Sequence, residues 1–153
     1  MALQAVDQRL AFVHMTTVNS HPVPLETCSA HWHRVAENGS TIEDLTAILH
    51  EDAVFHSPVV HTPQRGRPIV IAYLSAAGQT LGNKTFEYVR EVASGRNLVL
   101  EFQTEMEGIQ VNGVDIITFD DEGLITDFKV MIRPLKAVNK VWEMMGRQLE
   151  KQA

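Results

Sequence analysis

Apolar positions along the chain follow two periods, and the change falls near residue 83. From about residue 24 to 82 they recur at helical spacing; from about 84 to 132 they alternate as in strands. Leu25, Cys28, Trp32, Val35 and Ala36 make one stripe, predicting a helix that starts after Pro24 and stops at Asn38-Gly39. Ser40-Thr41-Ile42-Glu43 has the S-x-x-E form of a capping box, so a short helix follows with Leu45, Ile48 and Leu49 inward. Asp52-Ala53-Val54-Phe55-His56-Ser57-Pro58 reads as a short strand halted by proline, which cannot donate to a ladder. Gly66-Arg67-Pro68 sets a proline near the first turn of a third helix running to about Gly82. Ile69, Ala72, Tyr73, Ala76, Thr80 and Leu81 share one of its sides.

In the second half Phe86, Tyr88 and Val92 share one strand face, and Leu98, Leu100, Phe102, Thr104 and Met106 share another, with a turn at Ser94-Gly95-Arg96-Asn97. Residues 111–119 and 124–132 pair around Asp120-Asp121-Glu122-Gly123. Runs such as Val114-Asp115-Ile116-Ile117 are apolar on both faces. They predict a sheet covered by helices on one side and by something else, such as another subunit, on the other. After Arg133-Pro134, the residues Leu135, Val138, Trp142, Met145 and Leu149 form a 3-4 seam on a C-terminal helix ending near Gly146 or beyond. The expected organisation is an N-terminal arm (1–23), a body (24–133) and a C-terminal helix extension (134–153). The arm either pairs with a partner subunit or covers the body.

The composition narrows the function classes. A chain of 153 residues, 44% of them hydrophobic, buries a core without disulfides or metals. Its 19 acidic residues outnumber 13 basic ones for a net charge of -6, and without a Lys/Arg cluster no nucleic-acid partner is expected. The lone Cys28 allows no intramolecular disulfide, and its place in the first stripe reads as core packing. Asp7 and Arg9 interrupt the run that a signal peptide would keep apolar, and no apolar stretch approaches membrane-spanning length. A cytoplasmic location and no membrane partner are therefore expected.

Asp115 is the most informative position, a carboxylate inside an otherwise apolar strand. An ionised carboxylate among aliphatic side chains loses hydration, so it must find a partner or take up a proton. It is either a satisfied structural acid or the working group of a pocket. Ile116 and Ile117 flank it, and Ile117 and Phe119 lie on one strand face.

The order helix, helix, short strand, helix, antiparallel meander is an α+β arrangement. Three stretches in this order carry a resemblance: Ala36-Glu37-Asn38-Gly39-Ser40 through Asp52-Ala53-Val54, Gly66-Arg67-Pro68-Ile69, and Phe119-Asp120-Asp121-Glu122-Gly123-Leu124-Ile125. Over roughly residues 24–133 the chain resembles the nuclear transport factor 2-like superfamily, in its SnoaL-like and ketosteroid-isomerase-like branch. The resemblance implies a cone-shaped curved antiparallel sheet packed on about three helices. The hollow would take a small apolar organic molecule, and the exposed sheet face would make a homodimer. No cofactor is implied.

By position, Asp115 matches the isomerase acid that stays protonated and hydrogen-bonds a developing oxyanion. Trp32 aligns with the tyrosine that gives the second such bond, although an indole N–H donates without exchanging a proton. Ser57 stands where the isomerases carry a pre-proline aspartate as general base, and serine is too weak a base for that work unless activated. His61, on the following loop, and the adjacent His56 are the histidines left to supply a base, although strand alternation points His56 away from the Ser57 face. Phe55, Tyr73, Ile117 and Phe119 complete the expected lining. Metal binding is not expected, because His31 and His33 project apart on a helix and His56 and His61 lack a third ligand. The strands hold no Arg-x-Asp of the kind the epoxide hydrolases use. Arg133 fits an anionic substrate contact, a cap or an ion pair equally. Two functions remain: proton transfer on a carbonyl or polyketide-like compound, or ligand binding and dimerisation without catalysis.

Overall fold

The structure, a computed structural model, describes residues 21–152; most of the arm, residues 1–20, lies outside the described residues. The order is α1 (Leu25–Glu37), α2 (Ile42–Ile48), β1 (Leu49–His56), β2 (Gln64–Arg65), α3 (Arg67–Leu81), β3 (Glu87–Ser94), β4 (Asn97–Met106), β5 (Ile109–Phe119), β6 (Ile125–Arg133) and α4 (Leu135–Gln152). The six strands form one curved sheet in the order β2-β1-β6-β5-β4-β3. The sheet is mixed rather than wholly antiparallel, because β1 runs parallel to β6. Helix α3, between β2 and β3, carries the chain across the sheet to its opposite edge, a route a hairpin cannot supply. None of the described helices is long and apolar enough to cross a membrane.

The α1 terminus follows from Gly39. Its φ of +82° suits glycine, and the N–H groups of Gly39 and Ser40 bond Ala36 O and Val35 O in a Schellman turn. The cap of α2 falls one residue later than the capping-box reading, since Thr41 Oγ1 accepts from Asp44 N. On the sheet, Leu98, Leu100, Phe102, Thr104 and Met106 of β4 are all buried, as their alternation predicts. Phe55, Phe102, Phe119 and Phe128 are buried to 2% exposure or less, each contributing about 1.5–3 kcal/mol.

Three stripes differ from expectation. The buried side of α3 is Val70, Leu74, Ser75, Ala76, Thr80 and Leu81, with Ile69 partly exposed. This helix is apolar nearly all round, so its period cannot select a face; packing on β1, α2 and α4 does. On α4 the buried residues are Ala137, Val141 and Met145, while Leu135 and Trp142 are exposed. The small Ala137 lets the helix approach where Trp142 would hold it off. In β3, an irregularity between Tyr88 and Arg90 shifts the pairing, so Tyr88 keeps the inner face but Val92 turns outward.

Arg96, in the turn between β3 and β4, ties distant segments together. It donates to Val23 O at 2.7 Å, to Phe119 O at 3.5 Å and to Asp120 O. Val23 N in turn bonds Asp121 O at 2.9 Å.

Candidate active site

The inner face of the sheet and helices α1 and α3 line a partly open cavity of about 70 Å³. Phe102, Asp115, Phe128 and Val130 come from the sheet, Trp32 and Ala36 from α1, Leu74, Ala77, Gly78 and Leu81 from α3. Phe86, Tyr88 and Ser40 complete it. Gly113, one inner-face position before Asp115, leaves room for the Phe102 ring, which any Cβ there would overlap.

Asp115 is 6% exposed and opposes Leu100 and Val130 on its two neighbouring strands. Tyr88 O–H donates to Asp115 Oδ2 at 2.7 Å, and Trp32 Nε1–H donates to Tyr88 Oη at 3.0 Å. Among the described residues no other hydrogen bond reaches the carboxyl, so its second oxygen is left to the cavity. Burial pushes the Asp115 carboxyl up to about 7, even though the Tyr88 hydrogen bond favours its ionised form. Burial also raises Tyr88 well above the ordinary phenol value, and the Asp115 charge adds to this. The proton of the pair therefore stays on the phenol when Asp115 ionises.

Beside Tyr88 lies a second polar group. Ser29 Oγ donates to Glu91 Oε1 at 2.6 Å, and His33 Nε2 lies 2.9 Å from Glu91 Oε2. Desolvation opposes ionisation of Glu91, but these two hydrogen bonds outweigh it and hold the carboxyl below its usual range. A wider recess lined by His33, Glu37 and Asn83 adjoins the cavity, sharing Ala36, Gly82, Phe86 and Tyr88 with it.

A second, more apolar cavity of about 190 Å³ adjoins on the other side, sharing Ala77, Leu81 and Val130. Phe55, Ser57 and Tyr73 line it, and α4 closes it with Val141, Trp142, Met145 and Leu149. Ser57 Oγ accepts from Val59 N at 3.1 Å and Val60 N at 3.3 Å, which commits it to shaping the loop. The Tyr73 ring lies 5.3 Å from that of Phe55.

The chain thus brings Asp115 and Trp32 to one cavity and Phe55, Ser57 and Tyr73 to its neighbour. Four expected residues lie elsewhere. Ile117 and Phe119 share the strand face of Asp115 but are packed into the core and line neither cavity. His56 pairs with Lys129 across the sheet and points to the outer face, with Nε2 2.8 Å from Asp127 Oδ2. His61 is exposed beside an outer recess that it shares with His56 and Lys129. Tyr88 is the residue that sequence reasoning placed on a strand face with Phe86 and Val92 and gave no role. Its signal was being the one hydroxyl-bearing side chain among the apolar residues assigned to that face. Among the described residues, no group of three or more His, Cys, Asp or Glu is arranged to hold a metal.

The sequence model of the SnoaL-like domain matches residues 29–128. The chain belongs to the SnoaL-like family. Among solved structures, this SnoaL-like chain is similar to a steroid delta-isomerase from Pseudomonas aeruginosa, at 37% identity and a TM-score of 0.78, over 84% of this chain and 93% of that one. A protein from Silicibacter pomeroyi DSS-3 with a cystatin-like fold is 33% identical at a TM-score of 0.73, over 79% and 84% of the two chains. SalBIII, an epoxide hydrolase/cyclase-like enzyme of pyran ring formation in the polyether salinomycin, shares the fold at 21% identity and a TM-score of 0.59, over 71% and 90%. Comparison with the curated proteins yields no match to the SnoaL-like chain.

Proposed function

We propose that this SnoaL-like chain binds a small, mostly apolar organic molecule and transfers a proton on it beside a carbonyl group, as an isomerase or cyclase does. The observation that carries this reading is the Trp32–Tyr88–Asp115 hydrogen-bonded chain ending at a carboxyl oxygen that faces an aromatic cavity. With its carboxyl near 7, Asp115 is populated in both forms at neutral pH, the condition a proton-transfer group needs. Protonated, it donates to the ligand oxygen. Ionised, it takes a proton from the carbon next to the carbonyl, leaving an enolate, and returns that proton to another carbon. Apart from tyrosines, Asp115 is the one titratable side chain lining either of the two adjoining cavities, which is why it carries both roles. The likeness to a steroid delta-isomerase at 37% identity supports the same class of substrate.

The test is exchange of α-hydrogens of a small β,γ-unsaturated ketone in deuterated water, followed by mass spectrometry. Wild type is expected to accelerate exchange, and Asp115→Asn to abolish it with the fold intact. Equal exchange by both proteins rejects the role of Asp115.

A second reading, binding without turnover, rests on Ser57 in place of a pre-proline acid and on both histidines lying outside the cavities. It predicts ketone binding that depends on Asp115 with no exchange. In either reading we propose that two copies pair through the outer sheet face, where Val89, Val92 and Met131 are exposed.

A further inference from the structure

The Schellman turn that ends α1 leaves one group unused. Ser40 spends its N–H on Val35 O, and the cap of α2 is made by Thr41, so the Ser40 hydroxyl has no part in either. No hydrogen bond to it is formed by any described residue, and Ser40, 5% exposed, lines the cavity of Asp115. Among the described residues the buried side-chain oxygen left without a partner is Thr80 Oγ1, so the Ser40 hydroxyl is not sealed off but opens to the cavity. Glycine would relieve the backbone, since Ser40 has a φ of +52°. Helix α3 makes space for this side chain through Gly78, where a Cβ would lie 2.8 Å from Ser40 Cβ and 3.0 Å from its Oγ. The hydroxyl is therefore held at a left-handed backbone position, open to the same cavity as an acid with one free oxygen.

Resting on the reading of Asp115 as the oxygen-binding group, the geometry points to Ser40 as a second ligand-binding hydroxyl of this cavity. The class of ligand it implies is a planar ring compound carrying oxygen at two positions. One oxygen meets Asp115; the other meets Ser40 Oγ, which donates to a carbonyl or accepts from a hydroxyl. Trp32, Phe86, Phe102 and Phe128 supply flat faces for the ring. The volume of about 70 Å³ is roughly half of the ~150 Å³ that takes up benzene in an apolar cavity, so the ring extends past Leu81 and Val130 into the adjoining cavity of about 190 Å³.

Phenol, catechol, resorcinol and hydroquinone, titrated calorimetrically into wild type and into the variants Ser40→Ala, Ser40→Gly and Asp115→Asn, test this. At least one dihydroxybenzene is expected to bind wild type about tenfold more tightly than phenol. Both Ser40 variants should lose that margin while keeping the affinity for phenol. Ser40→Gly, whose backbone suits the turn, shows that the loss belongs to the hydroxyl and not to misfolding. The inference is overturned if the margin survives Ser40→Ala, or if no isomer exceeds phenol. Failure of the underlying reading looks different: phenol then binds wild type and Asp115→Asn alike, or does not bind, and the two-point site falls with it.

Discussion

Tyr88 on β3 donates its hydroxyl proton to Asp115 on β5 at 2.7 Å, over the back of β4, which separates the two strands. The bond favours the ionised carboxyl against the burial that disfavours it, so the phenol controls how readily Asp115 gives up its proton. Tyr88→Phe should therefore raise the Asp115 pKa further, read from its carboxyl ¹³C shift across a pH titration. The same change leaves Trp32 Nε1 without its acceptor and should cost about 1–3 kcal/mol in urea unfolding. A carboxyl that titrates unchanged in this variant would show that the hydrogen bond does not govern it.

Asp115 also makes stability depend on pH in a stated direction. Its carboxyl titrates near the ordinary 3.8 in the unfolded chain and at about 7 in the folded one. Below 3.8 both states hold the proton and its contribution is complete. As pH rises toward 7 the unfolded chain sheds the proton while the folded chain keeps it, so stability falls and then levels off. Asp115→Asn removes this dependence. Its stability relative to wild type should rise from pH 4 to pH 8 by up to about 4 kcal/mol, at about 1.4 kcal/mol per unit. An unchanged difference between the two pH values would show an acid without unusual burial.

Ser57→Asp restores a carboxylate beside the proline. Ser57 Oγ already accepts from two backbone N–H groups, and an aspartate can make the same turn. If one ligand spans both cavities, exchange at the α-carbon should accelerate about 100-fold. No gain would mean that the molecule at Asp115 does not reach Ser57.

Gly113→Ala should be destabilising by about 1–3 kcal/mol, measured by thermal or urea unfolding. Its Cβ would overlap the end of the Phe102 ring and lie 2.9 Å from Met131 O. Any accommodation moves the ring, so ligand affinity should change together with stability.

Strand alternation made the central sheet legible: β4 and β5 bury the positions their sequences mark, Asp115 included. The end of α1 and the start of α3 were legible too, because Gly39 and Pro68 act locally, whereas α2 begins one residue later than read and gives way to β1 at Leu49. Helix faces were harder. In α3, consecutive apolar residues fit several stripes, and in α4 the choice of Ala137 over Leu135 depends on how closely the neighbouring elements approach. The site divided along the same line. Trp32 and Asp115 follow from local pattern plus resemblance. Tyr88 meets Asp115 across β4, a contact between separate strands that no local pattern marks, and the irregularity at Tyr88–Arg90 that turns Val92 outward leaves no compositional mark either. Ile117 has the right parity but lies too deep in the packed end of the sheet.

The corner gathered by Arg96 has one more property. Besides Cys28 Sγ, its guanidinium grips three peptide oxygens, those of Val23, Phe119 and Asp120, and a peptide oxygen cannot gain a proton in mild acid. The link from Ser29 to Glu91 lacks that immunity, since protonating the carboxylate weakens it. Acidification should therefore loosen the molecule from the Glu91 side while the entry to α1 stays fastened to both hairpin bends.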